Sequence, residues 1–127
     1  IPGTLDLEER SIILSIRYTS VHKVHFNNPG RIYMDADRLK EPLVIRNRRS
    51  GDWFEPLGTK GKQKIKKLFI DRKVPGWQRD ALALLVDRES VIWIENMHLS
   101  ERVKISPQTK QVLVMEIQKK PSAERSM

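Results

Sequence analysis

Gly61-Lys62-Gln63-Lys64-Ile65-Lys66-Lys67-Leu68-Phe69-Ile70-Asp71-Arg72-Lys73-Val74-Pro75-Gly76 is the stretch that places a helix in a chain otherwise patterned for strands. Ile65, Leu68 and Phe69 fall at i, i+3 and i+4, the spacing of one apolar helix stripe, while Lys64, Lys66 and Lys67 point elsewhere. Gly61 is suited to cap the start, which predicts a short helix over residues 62–70. Val74-Pro75-Gly76 ends it, because proline disfavours helical geometry in the residue before it and glycine breaks regular structure. A further helical turn is expected at residues 77–82.

Outward from this helix the patterning changes to that of strands. Residues 11–21 alternate, with Ile12, Leu14, Ile16 and Tyr18 on one face and Ser15, Arg17 and Thr19 on the other, the period of a half-buried strand. Asn27-Asn28-Pro29-Gly30 is a turn signal. Residues 31–35 and 43–49 read as strands, with Arg46 and Arg48 on one face of the second and Asn47 and Arg49 on the other. Val91-Ile92-Trp93-Ile94 is an apolar β-favouring run of the kind that fills a buried strand, and residues 111–117 alternate less cleanly. A short strand is expected at 101–105. The fold class is therefore α+β, with several short, mainly antiparallel strands in a sandwich- or barrel-like arrangement and one or two short helices. The expected division is a strand region or linker over 1–30, a domain over 31–118 and a frayed polar tail over 119–127.

The chain has 127 residues, 39% hydrophobic and 31% charged, a balance compatible with one globular core. It contains no cysteine, which removes disulfides, thiolate chemistry and cysteine zinc sites from consideration. No apolar run approaches the roughly 20 residues that a membrane helix needs, and the first residues lack a signal-peptide pattern. A cytoplasmic home with no membrane partner is expected. The chain starts at Ile1, from which we expect an excised piece of a longer protein.

Charge is the strongest functional signal. Between residues 46 and 79 stand eleven basic side chains (Arg46, Arg48, Arg49, Lys60, Lys62, Lys64, Lys66, Lys67, Arg72, Lys73 and Arg79) against Asp52, Glu55 and Asp71, a net of +8. The whole chain carries 24 basic and 16 acidic residues, also +8, so everything outside that segment cancels. A field this concentrated attracts a polyanion. Arginine supplies forked contacts to phosphate and lysine supplies point charge. Trp53 and Phe54 lie within the segment, where large apolar side chains more often serve the core than stack on bases. Gly51, Asp52, Phe54, Pro56 and Gly58 are expected to structure the loop, with Asp52 fixing a turn or an arginine. A solvated lysine face without a ligand is the bland alternative.

Other chemistries find little support. His22 and His25 stand three apart, which on an extended chain places them on opposite faces, and His98 falls in an expected turn, so no metal site is expected. Asp35 with Asp37 and Asp87 with Glu89 sit near expected turns, where acidic residues are common. Gly58-Thr59-Lys60-Gly61-Lys62 lacks the spacing and terminal Lys-Ser or Lys-Thr of a phosphate-binding loop. Ser50 and Thr59 have no legible base partner.

Arg46-Asn47-Arg48-Arg49-Ser50-Gly51-Asp52-Trp53-Phe54-Glu55-Pro56-Leu57-Gly58, followed by Lys64-Ile65-Lys66-Lys67-Leu68-Phe69-Ile70-Asp71-Arg72-Lys73-Val74-Pro75 and Arg79-Asp80, resembles the C-terminal domain of bacterial tRNA(Ile)-lysidine synthetase. Trp53, Gly76, Ala83 and Asn96 depart from that pattern. The resemblance implies a parent ligase that uses ATP and Mg to adenylate the anticodon cytidine of an isoleucine tRNA and join lysine to it. That chemistry belongs to an N-terminal ATP-pyrophosphatase domain outside this chain, so catalytic residues and cofactors are expected to be absent here. The implied role of this domain is to bind isoleucine tRNA near the acceptor stem through the eleven basic residues named above. The rival class is a protein-interaction module docking on an acidic surface of the parent enzyme; a free-standing hydrolase has no residues to support it. A homodimer through an exposed edge strand or through 91–94 is compatible with the pattern.

Overall fold

The computed structural model describes residues 3–7, 12–24, 30–58, 61–95, 97 and 99–119. In chain order these form β1 (Gly3–Leu7), β2 (Ile12–Ser20), β3 (Arg31–Asp35), β4 (Val44–Arg46), β5 (Trp53–Phe54), β6 (Gln63–Lys64), α1 (Ile65–Asp71), α2 (Gly76–Arg79), β7 (Leu84–Val86), β8 (Val91–Ile94) and β9 (Gln111–Lys119). Short 3-10 turns stand at Val21–Lys23, Ala36–Arg38 and Glu101–Val103. The class is α+β and, among the described residues, every strand pairing is antiparallel.

Two compact units divide the chain: Ile1–Asp37 together with Ile105–Met127, and Arg38–Lys104. The first unit draws on segments far apart in the chain. The cause is pairing between distant segments, since β2 finds its partner in β9.

In the first unit the sheet order is β1-β2-β9-β3. β9 is central, matched along its whole length to β2, from Ile12 opposite Lys119 to Ser20 opposite Gln111. On its other side β3 pairs from Arg31 opposite Glu116 to Asp35 opposite Val112. Val112, Leu113, Val114 and Met115 are all fully buried, so both faces of β9 are covered. That double burial explains why its sequence alternates poorly. Tyr33, Val112 and Val114 pack with Val21, Val24 and Ile105. Asp35 accepts from the Thr109 hydroxyl (2.9 Å) and from the backbone N–H of Asp37 (2.9 Å), while Asp37 accepts from Lys110 N–H (3.0 Å). These carboxylates brace the turns that flank β3 and β9.

In the second unit β4-β7-β8 form one sheet and β5-β6 a separate hairpin. Phe54, Ile65, Leu68, Phe69, Leu82, Leu84, Val91 and Ile94 make its core, with Val74, Val86 and Met97 packed against them. Asp87 is a buried polar hub. It accepts from the N–H groups of Lys40 (3.0 Å), Glu89 (2.8 Å) and Ser90 (3.0 Å) and from the Arg102 guanidinium, which satisfies its lone pairs and holds the β7–β8 turn.

Strand β4 ends at Arg46, short of 49, because Asn47 turns to donate its amide to the carbonyls of Leu82 (3.1 Å) and Ala81 (3.3 Å). Helix α1 starts at Ile65 with Lys64, not Gly61, at its N-cap, because Gln63 and Lys64 pair with Phe54 and Trp53 first. Residues 101–103 form a 3-10 turn instead of a strand: the Ser100 hydroxyl accepts from Arg102 N–H (3.2 Å) and closes the backbone locally, as a Ser cap does. β7 has no alternating pattern to mark it, since Leu84 and Leu85 are both buried. The expected turn at Asn27-Asn28-Pro29 and the tail beyond Lys119 lie outside the described residues.

Candidate functional site

The basic segment is built on α1 and the loop before β5. Ile65, Leu68 and Phe69 face the core, which leaves Lys66, Lys67 and Ile70 exposed on the other side of the helix. The helix closes in a Schellman arrangement: Lys73 N–H donates to Ile70 carbonyl (3.0 Å) and Val74 N–H to Phe69 carbonyl (2.9 Å), the paired bonds that satisfy terminal carbonyls. Lys73 occupies the left-handed position, with φ 55, where glycine is the usual residue.

Asp52 joins this helix to the arginine loop. Its backbone carbonyl accepts from Ile65 N–H (3.1 Å), the first residue of α1. Its carboxylate takes two bonds from the Arg46 guanidinium, both 2.8 Å, and one from Arg49 N–H at 2.7 Å. Burial pushes the Asp52 carboxyl upward, but the hydrogen bonds from Arg46 and from Arg49 N–H outweigh it and hold the group below the usual carboxylate range. Gly51 and Gly58 adopt positive φ, 88 and 78, which glycine tolerates without a Cβ clash. Gly58 N–H donates to Glu101 (2.9 Å). Phe54 is buried in the core and Pro56 is half-buried.

The eleven basic residues sort into two groups. Arg46, Arg48 and Arg79 are structural anchors. Arg48 pairs with Asp80 (2.9 Å), and Arg79 Nε donates to the Val74 carbonyl (2.9 Å). Arg49, Lys62, Lys64, Lys66, Lys67, Arg72 and Lys73 are exposed. Lys60 lies outside the described residues. Lys62 Nζ sits 4.2 Å from the Trp53 ring centroid, a cation–π contact that braces the β5–β6 hairpin. The first turn of α1 contains no acidic residue, and lysines there oppose the helix dipole by some tenths of a kcal/mol each.

A cleft of about 290 Å³ lies beside this loop, lined by Arg46, Ser50, Asp52, Trp53, Arg88 and Glu89 among others. Among the described residues, no group of three or more His, Asp or Glu side chains is arranged to hold a metal ion. His22 is exposed; His25 and His98 lie outside the described residues. No helix among the described residues is long and apolar enough to cross a membrane. One exposed residue was not singled out from the sequence: Trp77, in α2, is 78% exposed.

A family model described as the TilS substrate C-terminal domain matches residues 43–116. The chain belongs to this family. Relatives include the tRNA(Ile)-lysidine synthase of Caldanaerobacter subterraneus subsp. tengcongensis, 37% identical over 87 residues that cover 68% of this chain and 19% of the relative. That of Clostridium acetobutylicum is 31% identical over 115 residues, covering 89% of this chain and 25% of the relative. The chain thus spans about a fifth to a quarter of the length of these relatives. Among solved structures, a TILS C-terminal domain crystal structure superposes with a TM-score of 0.77 at 22% identity, over 95% of this chain and 93% of that one. An N-terminal fragment of the phenylalanyl-tRNA synthetase β-subunit from Pyrococcus horikoshii gives 0.53 at 21% identity, over 68% of this chain and 27% of that one. These two likenesses are of fold. Within the TilS C-terminal family, the matched span contains the whole arginine loop, α1 and the Asp52 bridge between them.

Proposed function

We propose that this chain is a non-catalytic tRNA-binding domain of a tRNA(Ile)-lysidine synthase. In this reading it holds isoleucine tRNA by its backbone, near the acceptor stem, and positions it for a separate N-terminal ATP-pyrophosphatase domain. That domain would bind ATP and Mg and attach lysine to the anticodon cytidine, in the cytoplasm. Membership of the TilS C-terminal family and the names of the relatives support the parent enzyme.

The observation that carries the RNA-binding role is the division of labour in the basic segment. Three arginines are held in internal contacts, with Asp52, Asp80 and the Val74 carbonyl, while seven exposed cations stand on the helix and its flanks, some where the helix dipole disfavours them. Stability does not account for that placement; affinity for a polyanion does. Paired RNA presents phosphates and 2′-hydroxyls across a shallow groove, so a surface of point charges reads shape and backbone.

Filter binding of isoleucine tRNA to the chain tests this. With four to six phosphates neutralised, log affinity falls with log salt at a slope of about −3 to −5, a loss of about 10²- to 10³-fold between ~50 and ~200 mM. The triple variant Lys64→Ala, Lys66→Ala, Lys67→Ala flattens the slope. A salt-independent affinity, or a triple variant that binds like the parent while loosening contact with the rest of the enzyme, replaces this reading with an interdomain docking role.

A further inference from the structure

The three tryptophans have three different fates. Trp93 is 2% exposed in the core, and Trp53 is covered by Lys62. Trp77 is 78% exposed, the largest exposure among the exposed large hydrophobics of the described residues. Tryptophan rarely stands so far into water, since it has the largest apolar surface to hide.

The backbone beneath it is not loose. Gln78 N–H donates to Pro75 carbonyl (2.9 Å), and Ala81 and Leu82 N–H donate to Gln78 carbonyl (3.0 and 3.2 Å). Arg79 Nε grips Val74 carbonyl (2.9 Å). Val74 and Leu82, on either side, both pack into the core. Trp77 is therefore held out from the middle of a short bridge whose two ends are pinned. Its sequence neighbourhood is cationic: residues 64–79 hold Lys64, Lys66, Lys67, Arg72, Lys73 and Arg79 against Asp71 alone, a net of +5.

We propose that the Trp77 indole is a stacking platform for one unpaired nucleobase of the RNA whose phosphates the neighbouring lysines and arginines hold. The proposal rests on the RNA-binding reading above. Charge complementarity selects a nucleic acid as the occupant, and the indole selects which part of it. Bases inside a paired stem are covered on both faces by their neighbours, so an exposed indole meets a free π-face only where a base is unpaired. Stacking of this kind tolerates any base and adds to backbone contacts without changing their salt dependence.

The test compares two RNA probes: a hairpin stem with a short single-stranded 3′ extension, and the same stem with an extension of abasic sugars that keeps every phosphate. The chain is expected to bind the base-bearing probe about tenfold more tightly, within the range that one aromatic–base stack supplies. Trp77→Ala binds both probes equally, at the abasic level, with an unchanged salt slope and an unchanged melting temperature; Trp77→Phe regains part of the preference. A Trp77→Ala variant that keeps the full preference overturns the proposal. So does a parent chain that sediments as a dimer which Trp77→Ala dissolves, because that assigns the indole to a contact between copies. If the parent chain binds neither probe even at low salt, the RNA-binding reading falls and the stacking platform with it. If both probes bind equally to the parent chain, the platform alone falls.

Discussion

Arg46 and Asp52 meet fork to fork, with Nη2 2.8 Å from Oδ1 and Nη1 2.8 Å from Oδ2, and both side chains largely withdrawn from water. This pair turns the end of β4 back onto the start of α1, since the same Asp52 also caps Arg49 N–H and receives Ile65 N–H. An arginine that a charge count assigns to ligand binding is here an internal brace.

Removing one partner of that brace leaves a charge half-buried and unpaired. Asp52→Ala should cost about 2–3 kcal/mol, between the values for exposed and fully buried pairs, and Arg46→Lys, which keeps charge but loses the fork, about 1 kcal/mol. Urea denaturation midpoints measure both. Asp52→Ala also removes a negative charge beside the basic surface, which by electrostatics alone would strengthen RNA binding. A weaker affinity in that variant shows that the loop's geometry outweighs its charge.

Stability and binding should separate on α1. Lys66 and Lys67 sit in the first turn, where the helix dipole favours acids, so Lys66→Glu or Lys67→Glu is expected to leave stability unchanged or raise it by about 0.3–1 kcal/mol. RNA affinity should fall in the same variants, by more than the loss of one positive charge alone produces, because each substitution reverses the charge. A melting curve and a binding isotherm on the same preparation check the pair of outcomes.

Lys73 pays for its position in backbone strain. A non-glycine residue at φ 55 carries a penalty of about 1 kcal/mol relative to glycine, although the Schellman bonds around it are complete. Lys73→Gly should therefore stabilise the chain by roughly that amount, less the extra freedom glycine gains when unfolded. If the lysine is retained for its charge, RNA affinity drops in the more stable variant.

How much of this was legible in the sequence depends on where the signal was stored. The apolar stripe Ile65, Leu68, Phe69 and the run 91–94 announced their burial because local periodicity carries it. The start of α1 was misplaced by three residues because the deciding event, pairing of Gln63 and Lys64 with β5, is not local. Strand β7 left no distinct period, since Leu84 and Leu85 are both fully buried and such a run does not alternate. At the site, composition located the basic segment but not its division of labour: Arg46, Arg48 and Arg79 look like Arg49 in a charge count, and only Asp52, Asp80 and the Val74 carbonyl distinguish them. Trp77 could have been suspected from the Pro75-Gly76 break before it, which argues against burial, yet nothing in the sequence says which way an isolated indole turns.

Acid should reach the second unit through Asp87. Burial raises this carboxyl, but the Arg102 guanidinium and the N–H groups of Ser90, Lys40 and Glu89 together hold it below the ordinary range. A carboxyl that titrates lower in the folded chain than in the unfolded one favours unfolding when it binds a proton. Its contribution is complete above about pH 5, begins to decline as pH falls through ~4, the unfolded value, and is lost below the folded one. Asp87→Asn keeps the shape but not the charge. It should cost about 2–3 kcal/mol at neutral pH, as the hub loses a charged acceptor for Arg102 and for Lys40 N–H. The cost should shrink steadily towards pH 3, where the parent hub is being protonated too. Denaturant midpoints of both proteins at pH 7, 5 and 3 give the comparison. Parallel curves, with the same penalty at every pH, would mean that Asp87 acts through the acceptors it offers and not through its charge.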